Sequence, residues 1–166
     1  MALTLALVAA ALAWSDPRHG SGGRGPVGIS ARGAIRIADS RGEKAILHAA
    51  ALAPGASVAG TVKIENLGPD GRLVLSRARL LETPGPDGGE LAPALRLRIR
   101  RITESRDPVV YAGPLTAMPT LHLGRLPTGE SRHYRFVVRL PDPGFVDDGL
   151  MGARVRFDYR WHLRGQ

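Results

Sequence analysis

The sequence predicts an all-β protein: a single jelly-roll or immunoglobulin-like β-sandwich preceded by an N-terminal apolar, signal-like segment. One observation is the alternation of apolar and polar residues in short segments, which is the period of a strand with one buried face. Another is the recurrence of Gly, Pro and Asp between these segments at the spacing of a sandwich. Sustained helical periodicity is not seen anywhere in the chain.

Composition limits the class of protein. The 166 residues are enough for one domain with a real core, and aromatic residues make up only 5%, so that core must be mostly aliphatic. The chain has no cysteine, which excludes disulfides, thiolate metal sites and a cysteine nucleophile. The net charge of +8 comes almost entirely from arginine. This charge favours anionic partners, although a GC-rich coding sequence also produces an arginine-rich, lysine-poor chain.

The first 28 residues divide into two segments. Residues 1–13 form an apolar run ending in Ala11-Leu12-Ala13, which has the form of a signal peptidase site. This run is too short to span a bilayer, so we expect a secreted protein with no stable membrane span in its mature chain. A buried core helix is the alternative interpretation. Residues 14–28 are rich in Gly and Pro and predict a flexible linker, which leaves 29–164 as the sandwich domain.

Eight strands are predicted in the body of the chain. The clearest are Leu95–Ile102 and Ala153–Leu163, where arginines alternate with apolar residues, and Arg132–Leu140, where Tyr134 and Phe136 share the apolar face. We interpret Tyr159 and Trp161 as core aromatics whose polar atoms lie at the rim of the sandwich. The other predicted strands are Gly33–Ala38, Ala45–Ala50, Ser57–Asn66, Leu73–Glu82 and Val109–Tyr111.

Five motifs occur in the same order as in one bacterial family. They are Gly33-Ala34-Ile35-Arg36-Ile37; Leu52-Ala53-Pro54-Gly55 with the later Asn66-Leu67-Gly68; Val110-Tyr111-Ala112-Gly113-Pro114-Leu115; Leu123-Gly124-Arg125-Leu126-Pro127-Thr128-Gly129-Glu130; and Asp147-Asp148-Gly149-Leu150-Met151-Gly152. In these motifs the chain resembles the TasA/camelysin family of secreted proteins. It departs from the family pattern at Ala56, at Pro127-Thr128-Gly129 and at Gly149-Leu150-Met151.

The resemblance implies a jelly-roll-like sandwich, export by a dedicated signal peptidase and, for some members, assembly into matrix fibres. We therefore predict a secreted, non-catalytic structural or adhesive protein of the cell surface or extracellular matrix. Its expected partners are further copies of itself or another matrix subunit. Assembly would proceed by strand donation, in which Ile29, Ile35 and Ile37 fill pockets at the sheet edge of a neighbour.

A camelysin-like metallo-endopeptidase is one alternative, because some family members are described as such. The five histidines are His19, His48, His122, His133 and His162, and they form no His-Glu-x-x-His motif. His122 and His133 could lie on neighbouring strands near Glu130, but both would face solvent. We therefore expect no catalytic residue, no metal site and no cofactor. A weak calcium site near Asp142, Asp147 and Asp148 stays open.

The other alternative is a monomeric basic module that binds anionic envelope polymers or extracellular nucleic acid. Two arginine rows would project from sheet faces and contact phosphates. They have no exposed aromatic residues between them, so base stacking is not expected. A solvated strand face that blocks edge aggregation would show the same pattern. The anion-contacting candidates are Arg96, Arg98, Arg100, Arg154, Arg156 and Arg160.

Overall fold

The computed structural model describes residues 37–39, 52–142 and 148–165, and it places backbone only at 37–39 and 148. Its strands are β1 (Ile37–Asp39), β2 (Ser57–Asn66), β3 (Gly71–Thr83), β4 (Arg96–Ile102), β5 (Val109–Pro114), β6 (Leu121–Leu126), β7 (Ser131–Arg139) and β8 (Arg154–Arg164). A single helical turn, α1 (Leu91–Ala94), and two short 3-10 helices, Leu115–Ala117 and Asp148–Leu150, complete the described elements. The predicted all-β class is confirmed.

The strands form two antiparallel sheets. One has five strands in the order β1-β2-β7-β4-β5, and the other has three in the order β6-β3-β8. Most connections pass from one sheet to the other, which is how a β-sandwich encloses a core between two inner faces. The predicted sandwich is therefore present, and each sheet has one outer face that carries polar side chains.

The core lies between the two sheets, and its aromatic side chains come from β7 and β8. Tyr134 on β7 contacts Trp161 on β8 with ring centroids 5.2 Å apart, and Phe136 contacts Tyr159 at 5.1 Å. These tilted aromatic pairs join the two sheets across the core, and such pairs stabilise beyond the area that they bury. The alternation in both strands is confirmed, because every inward residue from Val155 to Leu163 is buried.

The two strands that follow Pro-Gly turns, β2 and β7, are neighbours. Their pairing runs from Ser57 opposite Arg139 to Glu65 opposite Ser131. The turn that begins β2 bonds to the end of β7, because Gly55 donates its backbone N–H to the Leu140 carbonyl at 2.8 Å. Gly55 has φ +79°, a conformation that a side chain disfavours.

A buried asparagine joins two turns at one end of the sandwich. The Asn66 side chain donates to the Pro69 and Leu126 carbonyls, both at 2.9 Å, and accepts from the Gly68 N–H at 2.9 Å. Its backbone carbonyl accepts from the Gly129 N–H at 2.7 Å. The β2–β3 turn and the β6–β7 turn are therefore held together as one unit, which we call the turn clasp.

Asp70 adds a second, exposed link to the turn clasp. Its carboxylate accepts from the Thr128 N–H at 2.8 Å and from Arg125 Nη2 at 2.5 Å. These bonds, led by the one from the Thr128 backbone, lower the pKa of the Asp70 carboxyl below its usual value. The turn clasp thus joins two of the motifs that carry the family resemblance, Asn66-Leu67-Gly68 and the motif from Leu123 to Glu130. Both motifs have a structural role.

The structure differs from the sequence predictions at several elements. β6 was not predicted, because Gly124, with φ +85°, interrupts the alternation beside the register shift between β6 and β3. β3 is longer than the predicted Leu73–Glu82 strand. The segments 1–13 and 14–28, the strand Ala45–Ala50 and most of Gly33–Ala38 lie outside the described residues.

The polar atom of Trp161 is not at the rim. Its indole nitrogen is buried and has no hydrogen-bond partner within the described part of the chain. Tyr159 is only 1% exposed, and burial raises the pKa of its hydroxyl well above the usual value. Both side chains therefore lie deeper between the sheets than their places in the strand pattern predicted.

Candidate functional site

The first predicted arginine row lies on the outer face of the five-stranded sheet. Arg96, Arg98 and Arg100 alternate along β4 with Leu97 and Ile99, which are almost completely buried. The facing predicted from the sequence is correct here. Because alternate strand positions are about 7 Å apart, the three guanidinium groups form a line along the strand.

Two more arginines on β7 widen this line into a face. Arg139 lies directly opposite Arg96, and Arg135 lies directly opposite Arg100. Neighbouring strands are about 5 Å apart, so each pair places two like charges side by side. We call the five residues the arginine face: Arg96, Arg98, Arg100, Arg135 and Arg139.

Arg135 and Arg139 were not predicted from the sequence as members of this candidate site. Both residues were recognised as outward facing, but periodicity gives the facing of a strand and not its neighbour. Only the pairing of β4 with β7 brings them beside the predicted row. The only available signal was that β4 and β7 both alternate arginine with apolar residues. That pattern does not show that the two strands are neighbours.

No carboxylate of the described residues forms an ion pair with the arginine face. Glu65 on β2 pairs with Lys63 at 2.9 Å. Arg98, Arg100, Arg135 and Arg139 form no ion pair and no side-chain hydrogen bond within the described residues, whereas Arg96 donates to the Pro93 carbonyl at 3.2 Å. Like charges directly opposite each other destabilise a strand pair. The face therefore carries a local cost that an anionic ligand would relieve.

The second predicted row, Arg154, Arg156 and Arg160, lies on β8 in the other sheet. The structure therefore places the two rows on opposite outer faces of the sandwich and does not bring them together. Asp158 interrupts the β8 row, and its Oδ1 lies 3.3 Å from Arg156 Nε. This row is thus less uniformly basic than the one on β4.

The N-terminal strand occupies the edge of the five-stranded sheet. β1 pairs antiparallel with β2, with Ile37 opposite Asn66 and Asp39 opposite Ile64. Among the predicted assembly residues, only the backbone of Ile37 is described. Ile29 and Ile35 lie outside the described residues.

The two histidines that could have lain on neighbouring strands do not do so, although both are exposed as expected. His122 lies on β6 and His133 on β7, so they belong to different sheets. Over residues 52–142 and 148–165, no group of three or more His, Asp or Glu side chains is placed to hold a metal ion. Asp142 is exposed, whereas Asp147 and the side chain of Asp148 lie outside the described residues, as does any calcium site that they form.

No helix in the described part of the chain has the length and apolar character needed to cross a membrane. This finding concerns those residues alone.

Comparison with known proteins gives no family. No family model and no curated protein matches this chain. Among solved structures it is similar to one described as "AvmM Catalyzes Macrocyclization in Alchivemycin A Biosynthesis". The two share 14% identity over 86% of this chain and 97% of that chain, with a TM-score of 0.36. A likeness at this level supports no argument about function.

Proposed function

We propose that this chain is a secreted, non-catalytic structural or adhesive protein of the cell surface or extracellular matrix, held to anionic polymers by its arginine face. The observation that carries the proposal is the two cross-strand Arg–Arg pairs of β4 and β7, Arg96 with Arg139 and Arg100 with Arg135, which have no carboxylate partner among the described residues. Guanidinium groups form strong, charge-assisted hydrogen bonds to phosphate oxygens. The extracellular location rests on the apolar N-terminal segment and on the family resemblance.

The geometry of the face favours an extended polymer over a compact anion. An anionic strand that follows β4 would meet Arg96, Arg98 and Arg100 in turn, with Arg135 and Arg139 beside it on β7. The residue on β7 opposite Arg98 is Val137, so the β7 neighbours of this row supply no aromatic ring for base stacking. Binding should therefore depend on the phosphate backbone and not on base sequence.

The test is the salt dependence of binding to a labelled oligo(dT). Each phosphate contact to a single strand contributes about 0.7 to the slope of log K against log salt. The double variant R100Q/R135Q should lower the magnitude of that slope by about 1.4. The control R77Q/R106Q removes the same charge outside the arginine face and should leave the slope near the wild-type value.

Equal slopes for the two double variants would show that binding follows net charge and not the arginine face. A flat salt response of the wild-type protein would dismiss polyanion binding altogether.

Strand donation is a second candidate function, favoured by the position of β1. β1 (Ile37–Asp39) already pairs with β2 at the edge of the five-stranded sheet through its backbone. This is the geometry of β-augmentation. If β1 pairs instead with the sheet edge of a neighbouring molecule, the chain forms fibres. The predicted pocket-filling residues are Ile29, Ile35 and Ile37.

Sedimentation velocity and electron microscopy of the chain starting at Trp14 would test strand donation. Ile35→Asp should abolish polymers and leave a folded monomer, and a chain starting at Ala45, which lacks β1, should also stay monomeric. Unchanged fibres from Ile35→Asp would refute the mechanism. Monomers from every version would exclude self-assembly by strand donation.

A further inference from the structure

The three-stranded sheet also carries basic residues on its outer face, in a row that crosses all of its strands. Arg72 on β3 lies opposite Arg125 on β6 on one side and opposite Arg164 on β8 on the other. These residues are far apart in the sequence, so no local pattern reveals the row. Arg160 continues it along β8, four residues before Arg164 and opposite Ser76.

Two acidic residues neutralise part of this surface. Asp70 lies 2.5 Å from Arg125, and Asp158 lies 3.3 Å from Arg156. Arg72, Arg160 and Arg164 form no ion pair and no side-chain hydrogen bond with any described residue. These three arginines form what we call the second basic face.

Histidines border the second basic face. His122 and His162 lie on either side of Val74, in the row next to Arg72. Val74 points outward with them but is only 1% exposed, so neighbouring side chains cover it. Protonation of the His162 imidazole would add positive charge to the same surface.

The two basic faces are independent of each other. They belong to different sheets, and stacked sheets lie about 10 Å apart with the core between them. A polymer strand bound to one face cannot contact the other without passing around the molecule. Each face can therefore take its own strand.

We propose that the sandwich is a bivalent cross-linker, in which the arginine face and the second basic face each bind one strand of an extended phosphate-bearing polyanion. This inference rests on the proposed function, because it concerns the same class of ligand. Two sites on opposite faces cannot both engage one short strand, but they join separate long strands into a network. The protein would then hold a matrix together as well as attach to it.

The experiment has two readouts on the full chain. Titration with a short oligo(dT) gives the number of strands bound per protein, and turbidity with poly(dT) or with inorganic polyphosphate reports network formation. The wild-type protein should bind two short strands and form networks. The probe that gives networks identifies whether nucleic acid or polyphosphate supplies the phosphate groups.

Two triple variants assign the sites. R72Q/R160Q/R164Q should bind one short strand, with the wild-type salt slope of the arginine face, and should form no network. R96Q/R98Q/R135Q should also bind one strand, through the second basic face. The control R77Q/R106Q removes two charges outside both faces and should keep both strands and the network. Urea unfolding of each variant confirms that it is folded.

The outcomes separate this inference from the proposed function. One strand per wild-type protein, unchanged in R72Q/R160Q/R164Q, overturns the cross-linker and leaves the arginine face intact. No binding by the wild-type protein overturns both. Networks that persist in R72Q/R160Q/R164Q also overturn the cross-linker, because they would arise without the second basic face.

Discussion

At the scale of single residues, the sandwich depends on a few polar side chains that link distant parts of the chain. Arg132 on β7 is an example, because its guanidinium reaches the other sheet and donates to the Leu123 carbonyl at 2.8 Å and to the Arg125 carbonyl. Asn66 does the same at the turn clasp and is the one polar residue that is buried in the described part of the chain. Such groups stabilise only while their bonds are complete.

Asn66→Ala should lower the free energy of unfolding by about 3 kcal/mol, because it leaves the bonding groups of Gly68, Pro69 and Leu126 without partners. Urea denaturation measures this loss. Asp70→Asn is the matched control, since it weakens the same turns at an exposed position and should have a smaller effect. Equal losses would mean that burial of Asn66 adds nothing to the clasp.

His162 makes the second basic face sensitive to pH. Partial burial, followed by the charges of Arg160 and Arg164, lowers the pKa of its imidazole below the usual value. The other charged or titratable groups around it are Arg72 on β3, His122 on β6 and Arg125, which is paired with Asp70. A bound phosphate would offset these repulsions and favour the protonated ring.

The affinity of R96Q/R98Q/R135Q for oligo(dT) should therefore rise as pH falls from about 7 to about 5, where histidine gains its proton. Fluorescence anisotropy at constant salt measures the change. Adding H162Q to this variant should flatten the pH profile. A profile that stays equally steep would assign the pH dependence to other groups.

At the scale of strands, the sequence predicted well which side chains of a strand face outward. It predicted poorly which strands are neighbours in a sheet. Alternation placed Arg96, Arg98 and Arg100 outward correctly, because apolar burial specifies a strand's two faces strongly. It could not show that β7 lies beside β4, because strand order depends on contacts between residues far apart in the chain. Arg135 and Arg139 were missed for that reason, and β6 was missed because Gly124 breaks its pattern.

The cross-strand pairing of Arg100 with Arg135 should lower the free energy of unfolding, because it places two like charges on neighbouring strands. Arg135→Thr removes the repulsion and should raise the free energy of unfolding by about 0.5 kcal/mol at low salt. This gain should shrink as salt screens the charges. Arg98→Thr is the control, because its cross-strand neighbour on β7 is Val137. If Arg98→Thr raised the free energy of unfolding as much as Arg135→Thr, the gain would come from the lower net charge and not from removal of one repulsive strand pair.

At the scale of the whole molecule, an aromatic layer joins the two sheets, and each sheet has arginine side chains on its outer face. Tyr159 is buried in that layer, and burial raises the pKa of its hydroxyl well above the usual value. Burial raises the pKa of Tyr134 as well. The folded state therefore retains these protons more firmly than the unfolded state does.

The sign of this linkage predicts alkaline unfolding. The contribution of the tyrosines to stability is complete below their unfolded pKa of about 10 and is lost as pH rises above it. Circular dichroism along an alkaline titration should show the sandwich unfolding there, together with the rise of tyrosinate absorbance. Tyr159→Phe should move the loss to higher pH. An unmoved midpoint would assign the alkaline limit to another group.

The central position of β3 has a consequence for synthesis of the chain. Both of its partners, β6 and β8, come later in the sequence. While the chain emerges from the ribosome, Leu73 and Leu75 have no sheet to cover them, although both are completely buried in the finished molecule. A chain interrupted before Leu121 would expose this strand to other unfinished chains, and edge-to-edge pairing is the route by which such strands aggregate.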